Sequence, residues 1–187
     1  MVRKISELRR AVFLDRDGVL NIDTGYTYRV ADLRLLPGVS QALAKLKQAG
    51  FQLIVVSNQS GVARGKFTIA EVEAFHHAMN SALQAEGGPV IDEFMYCPHH
   101  PEGSVAEFAV VCTCRKPEPG MIVVAAERHG LTLRDCYLVG DKPDDIEAAT
   151  RAGVRGIQVR SRYGPPHPGA MALVDSLEEA VPLILGQ

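Results

Sequence analysis

The chain has 187 residues, 47% of them hydrophobic, and its 20 Lys+Arg against 22 Asp+Glu leave a formal net charge of -2. That length suits one α/β domain, residues 1–187, with a sizeable core. There is no basic excess to suit nucleic acid or an acidic membrane surface, and no apolar run long enough to span a bilayer. Met1 to Arg10 is rich in charge and lacks the apolar core of a signal peptide, so a cytoplasmic protein is expected.

Ala11 to Leu14 is an unbroken apolar run, the pattern of a strand buried on both faces of a parallel sheet. It leads into Asp15, Asp17 and Gly18, two carboxylates at i and i+2 ahead of a turn residue. Val19 to Tyr28 is mixed in polarity and reads as an irregular flap. After the break at Leu36 to Gly38, the spacing of Val39, Ala42, Leu43 and Leu46 predicts a helix that stops at Gly50. Phe51 to Val56 predicts a second buried strand, opening into a polar loop from Ser57 to Gly61. Thr68 and Glu71 form a capping-box pattern at the head of a long helix that ends near Gly87. Its His76 and His77 are expected to be exposed. Ile91 to Tyr96 predicts a third strand, and Arg115 to Gly120 leads into a helix that stops at Gly130. Cys136 to Gly140 is a fourth strand ending in Asp141, and Pro143 suits the first turn of a helix that stops at Gly153. Gly156 to Arg160 is a fifth strand. Tyr163 to Gly169 carries no readable motif. Ser176 and Glu179 form a second capping-box pattern that opens a terminal helix. Strands alternating with helices predict an α/β fold, a Rossmann-like, doubly wound parallel sheet.

In such a sheet the ligand site lies beyond the carboxyl ends of the strands. Asp15, Asp17, Ser57 and Asp141 all fall there, and Lys116 lies at a loop-to-helix junction between them. Carboxylates beside a Lys and a hydroxyl make sense around a magnesium ion and a phosphate, because magnesium prefers hard oxygen ligands. Without a cation these carboxylates would repel each other and any phosphate. Asp144 and Asp145 are equally well read as first-turn helix acids or as outer members of this group. Cys97, His99, Cys112 and Cys114 supply three thiolates and an imidazole, the donor set of a closed tetrahedral zinc site with a structural role. The loop they span, about 97–114, would present Arg115 and Lys116 to the crevice. His100 competes with His99 for the fourth place. Cys136, within a strand, reads as an inert core residue.

The order of motifs resembles the haloacid dehalogenase superfamily over nearly the whole chain: Asp15 to Gly18, then Ser57, Lys116, and Gly140-Asp141 with Asp144 and Asp145 downstream. More closely, Cys97 to Pro101, Cys112 to Pro117, Pro119 to Met121 and Asn58 to Gly65 are similar to the D-glycero-D-manno-heptose 1,7-bisphosphate 7-phosphatases, which act in making nucleotide-activated heptose for lipopolysaccharide. The resemblance implies Asp15 as nucleophile and Asp17 as general acid, then base. It implies Ser57 and Lys116 on the phosphoryl oxygens, and magnesium held by the Asp15 and Asp141 carboxylates and the Asp17 backbone carbonyl. It favours His99 over His100 as the zinc ligand. It further implies substrate contacts at Asp23, Thr24, Gly25, Tyr26, Ser57, Asn58, Gln59, Ser60, Arg115, Lys116 and Lys142. Arg115 makes physical sense as a clamp on a second phosphate that does not react. The length leaves no room for a large cap domain between motifs, so an open site on a monomer is expected, acting on a small sugar bisphosphate. Histidinol-phosphate phosphatase is the rival enzyme reading, and a non-catalytic phosphosugar-binding module the rival of another class. A nucleic-acid 3′-phosphatase would call for a basic groove that the charge balance does not suggest.

Overall fold

In the computed structural model, which describes residues 9–187, the run Ala11–Leu14 forms β1 with every side chain buried. The charge-rich stretch before residue 9 lies outside the described residues. β1 pairs in parallel with β2 (Gln52–Asn58) on one side and β4 (Tyr137–Gly140) on the other. β3 (Glu93–Cys97) extends the sheet past β2, and β5 (Arg155–Val159) and β6 (Ala172–Val174) extend it past β4. The order β3-β2-β1-β4-β5-β6 reverses its direction of winding between β1 and β4. That reversal opens a crevice at the strands' carboxyl ends.

Both faces of the sheet are covered, which explains the absence of alternation in β1. On one face Val12 and Leu14 pack with α1 (Val39–Gln48), α2 (Ile69–Ala85) and α5 (Leu177–Leu185) through Leu43, Phe75, Met79 and Ile184. On the other, Ala11 and Phe13 join α3 (Gly120–His129) and α4 (Pro143–Ala152) through Ile122, Ala125 and Ala149. The Thr68 capping box forms in full: the Glu71 N–H donates to Thr68 Oγ1 at 3.2 Å, and the Thr68 N–H donates back to Glu71 Oε2 at 2.8 Å. Such a cap stabilises a helix by about 1 kcal/mol. No helix among the described residues is long and apolar enough to cross a membrane.

Beyond end shifts of one or two residues in β3, β4 and β5, four details differ from the sequence expectation. β2 runs on through Ser57 and Asn58, because Asn58 pairs with Cys97 of β3. β6 forms where no strand is predicted; three residues are too few to show a period, and β5 supplies the pairing. The second capping box closes on one side only, since the Glu179 carboxylate accepts the Asp175 N–H and not that of Ser176. His76 is buried, 5% exposed, with its ring stacked on Phe94 at 4.4 Å.

Candidate active site

The end of β1 delivers Asp15, β2 delivers Ser57, and the residue after β4 is Asp141. Asp15 donates its N–H to the Val139 carbonyl at 2.9 Å, which ties the two central strand ends together. Two glycines let the carboxylates approach. A Cβ at Gly18, where φ is +85°, would lie 2.5 Å from Asp141 Oδ2. A Cβ at Gly140 would lie 2.2 Å from Asp145 Cβ. Neither gap admits a side chain, so these positions need glycine for close approach.

Lys116 is the electrostatic centre. Its Nζ donates to Asp15 Oδ1 at 2.9 Å and to the Val56 carbonyl at 2.7 Å, and pairs with Asp145 Oδ1 at 2.5 Å. Asp145 also accepts the Lys142 N–H at 2.9 Å, capping α4 from its third position. Lys142 Nζ sits 3.9 Å from Asp15, 3.6 Å from Asp141 and 3.8 Å from Asp23. Burial pushes Asp15 up, but Lys116 and Lys142 outweigh it and hold the carboxyl below its ordinary value. Burial, then the Asp15 charge, pushes Asp141 up to about 7. Burial likewise raises Asp145 against the pull of Lys116. Both Asp141 oxygens are buried without a hydrogen-bond partner, and Asp15, Asp141 and Asp145 each offer an oxygen within 4.8 Å of the others. Orphaned carboxylate oxygens in such a cluster fit a hard divalent cation.

Asp17 is held from the opposite direction. Arg16, fully buried, donates from Nη2 to Asp17 Oδ2 at 2.8 Å and from Nε to Oδ1 at 3.2 Å. The same Nη2 reaches the Thr27 carbonyl at 2.6 Å and Gln59 Oε1 at 3.3 Å, and the guanidinium lies 4.5 Å over the Phe75 ring. Asn21 Nδ2 donates to Asp17 Oδ1 at 2.9 Å. The sequence motif singles out the two acids, yet the residue between them fixes the second one and ties it to the flap.

One cleft is lined by Asp15, Asp17, Ser57, Asn58, Lys116, Lys142, Asp144 and Asp145. Asn58 also clamps the Lys116 backbone, donating to its carbonyl at 2.9 Å and accepting its N–H at 3.0 Å. Gln59, 3% exposed, donates to Ser57 Oγ at 2.8 Å and to Asp17 Oδ2 at 3.3 Å, and so orients two cleft groups from behind. Asp23 reaches the cleft through Lys142. Thr24, Gly25, Tyr26, Ser60 and Arg115 do not line it: the first three form the exposed flap tip, and the last two are half-buried outside the lining. A separate groove of about 600 Å³ between Lys66–Glu71 and Val105–Phe108 shares none of the cleft residues.

Beyond β3, Cys97, His99, Cys112 and Cys114 converge, each offering a ligand atom within 4.8 Å of the rest. The sulfurs lie 3.1–3.5 Å apart, and His99 Nδ1 lies 3.4 Å from Cys114 Sγ. Ligands of a tetrahedral zinc with Zn–S near 2.3 Å sit about 3.7 Å apart, so the cluster fits that ion with slight expansion. Hydrogen bonding between the thiols is the first cause that pushes Cys97 up and draws Cys114 down to about 5. His100 turns away to Arg64 Nη2 at 3.1 Å, leaving His99 at the cluster. Cys136 is buried and accepts the Ala11 N–H at 3.3 Å.

Comparison with known proteins adds an independent line. A family model described as HAD-hydrolase-like matches residues 113–180. The chain is 47% identical over 156 residues to the D-glycero-beta-D-manno-heptose-1,7-bisphosphate 7-phosphatase of Escherichia coli K12, covering 83% of this chain and 81% of that one. It is 48% identical over 159 residues to the D-glycero-D-manno-heptose-1,7-bisphosphate 7-phosphatase of Thermosynechococcus vestitus, with the same coverage, 83% and 81%. Among solved structures, the D,D-heptose 1,7-bisphosphate phosphatase of B. bronchiseptica, complexed with magnesium and phosphate, superposes with a TM-score of 0.80 at 34% identity, covering 95% of this chain and 98% of that one.

Proposed function

The chain belongs to the D-glycero-D-manno-heptose 1,7-bisphosphate 7-phosphatase family of haloacid dehalogenase-type phosphoric monoester hydrolases, and from that premise we propose that it removes the 7-phosphate of D-glycero-D-manno-heptose 1,7-bisphosphate through an aspartyl-phosphate. The observation that carries the mechanism is the pairing of Asp15 with Lys116, 2.9 Å apart in a buried cleft. Lys116 keeps the Asp15 carboxylate ionised, which a nucleophile must be, and places a cation where phosphoryl oxygens arrive. An Asp15 oxygen bonds to phosphorus as the phosphorus–sugar oxygen bond breaks. Asp17 gives its proton to the departing alkoxide. Water then loses a proton to Asp17 and attacks phosphorus, and the bond to Asp15 breaks to release inorganic phosphate. Ser57, set by Gln59, and Lys116 hold the phosphoryl oxygens.

Asp15, Asp141 and the Asp17 backbone carbonyl would hold magnesium, whose charge would offset that of an anionic nucleophile meeting an anionic phosphate. Asp145 would be the outer partner that keeps Lys116 in place while it also caps α4, so each of its two sequence readings has support. Cys97, His99, Cys112 and Cys114 would hold a structural zinc that pins the segment ending at Arg115 and Lys116. A Cys/His zinc set in place of disulfides suits a reducing compartment, which supports action in the cytoplasm, in nucleotide-activated heptose synthesis. The deciding experiment is a phosphate-release screen with magnesium of both heptose 1,7-bisphosphate anomers against histidinol phosphate. The expected result is at least a tenfold higher kcat/KM for a heptose bisphosphate, with loss of the 7-phosphate read by phosphorus NMR. Preference for histidinol phosphate would replace the reading.

A further inference from the structure

The segment between β5 and β6 carries no sequence motif, yet it reaches the mouth of the cleft. Ser161 Oγ donates to the backbone carbonyl of Asp141 at 2.6 Å and accepts the Tyr163 N–H at 3.2 Å. That places Tyr163 beside the flap, 140 residues away in the chain. Its hydroxyl donates to Asp23 Oδ2 at 2.6 Å. Lys142 Nζ lies 4.6 Å over its ring. Arg162 Nη2 donates to the Tyr163 hydroxyl at 3.1 Å and completes the wall. Asp23 is held at its other oxygen as well, where the Gly25 N–H donates to Oδ1 at 2.6 Å. The flap tip is otherwise exposed, with Thr24 bonded only to Thr27 close by.

We propose that Tyr163 is a positioning residue that sets substrate preference, fixing Asp23 through its hydroxyl and Lys142 through its ring across the cleft mouth. The proposal rests on the sugar bisphosphate reading above. Asp23 so held has its carboxylate plane fixed at two points, with a lone pair on each oxygen left for a polyol hydroxyl. Lys142 lies between Asp15, Asp141 and Asp23, and so joins the phosphoryl site to the sugar site. A cation over an aromatic face is attracted to it, so the ring holds the ammonium without neutralising it. The two halves of Tyr163 therefore act on different parts of a substrate: the hydroxyl on the sugar, the ring on the phosphate.

The halves separate by mutation. Tyr163→Phe keeps the ring and removes the hydroxyl; Tyr163→Leu removes both. The measurements are KM and kcat for D-glycero-β-D-manno-heptose 1,7-bisphosphate and for p-nitrophenyl phosphate, and the calorimetric Kd of inorganic phosphate with magnesium. Tyr163→Phe is expected to raise the bisphosphate KM about two- to tenfold, the worth of one hydrogen bond, with a smaller change in kcat and in the aryl phosphate KM. Tyr163→Leu is expected to weaken inorganic phosphate binding beyond the Phe variant. Tyr163 is 38% exposed, so both variants should keep the melting temperature within a few degrees of wild type. Equal KM shifts on both substrates, no shift in the Phe variant, or a phosphate Kd alike in both variants would each overturn the proposal. If the wild-type enzyme turns over no heptose bisphosphate, the functional reading fails, and the phosphate Kd still decides the ring's role.

Discussion

The phosphate cleft and the Cys/His loop each gather candidate ligands within a few ångströms, but different parts of the chain hold them there. The cleft residues stand at or just past the ends of β1, β2 and β4 and in the first turn of α4, except Lys116, which follows the Cys/His loop directly. Their charges are partly balanced within the protein, because Lys116 pairs with Asp15 and Asp145 while Lys142 faces Asp15 and Asp141. In the loop, only Cys97 comes from a strand; His99, Cys112 and Cys114 lie in a segment with neither helix nor strand. Its three sulfurs touch one another. The cleft is thus a rigid site whose ion would serve chemistry, whereas the loop is a site whose ion would serve shape. Four variants test that division, taken from the largest expected effect to the smallest.

Asp15→Asn should remove turnover, with kcat down roughly 10⁴-fold or more, as loss of a nucleophile does. A neutral amide neither attacks phosphorus nor balances a cation. Lys116 keeps Asp145 in this variant, so the melting temperature should stay near wild type. The check is single-turnover phosphate release beside a thermal melt. Residual kcat near wild type in a folded protein would remove Asp15 from the mechanism.

Asp17→Asn should cost about 10²–10⁴-fold in kcat on the sugar phosphate and less on aryl phosphates, whose leaving groups need little protonation. Unlike the first variant it should also lower stability. Arg16 is fully buried, and removing its charged partner leaves the guanidinium facing only carbonyl-type acceptors. Equal losses on aryl and sugar phosphates would argue against the acid role, and an unchanged melting temperature against the lock.

Cys112→Ser tests the loop. Zinc content, measured by elemental analysis, should fall below one per chain, and chymotrypsin should cut after Phe108 faster. The kcat loss should be smaller than in either Asp variant, since Lys116 is also clamped by Asn58. Magnesium affinity of the cleft should change little. A loss of magnesium binding as large as the loss of zinc would merge the two regions into one cooperative unit.

How much of this was legible in the sequence follows from where the information lies. Short runs between polar loops revealed five of the strands, most plainly β1 and β4, which are buried throughout and so show no alternation. Asp15, Ser57, Lys116 and Asp141 were legible together because the topology of a doubly wound sheet brings strand ends to one edge. β6 was not legible, since its three residues take their conformation from pairing with β5. Tyr163 could not be read, because its partner is Asp23, at the other end of the chain. Arg16 was hidden by its neighbours: a charged residue between two acids reads as part of their motif, and its burial depends on Phe75, Thr27 and Gln59. The one signal available was an Arg set two residues past a fully apolar strand, where a solvated side chain has little room.

His76 was misread for a related reason, and it gives the last prediction. Two adjacent His on a helix read as solvent-facing, but Phe94 of β3 stacks on the His76 ring and Tyr96 lies edge-on at 5.6 Å. It sits between the two regions, under the strand that delivers Cys97 and near the Arg16 guanidinium that locks Asp17. Burial first, then the Arg16 and His77 charges, lower its pKa from 6.5 to about 3. Between these values the unfolded chain binds a proton that the folded chain refuses. The contribution of His76 to stability is therefore intact above pH 6.5 and is lost as pH falls toward 3, at up to about 1.4 kcal/mol per unit. Its Nε2 is buried without a hydrogen-bond partner, so His76→Phe should forfeit no bond there and preserve the stack. At pH 7.5 the variant should match or slightly exceed wild type in denaturant midpoint; at pH 5 it should be clearly the more stable. Urea midpoints at the two pH values read the difference directly, and the carboxylates common to both proteins cancel in the comparison. A gap between the proteins that does not widen on acidification would mean that His76 carries its proton in the folded state.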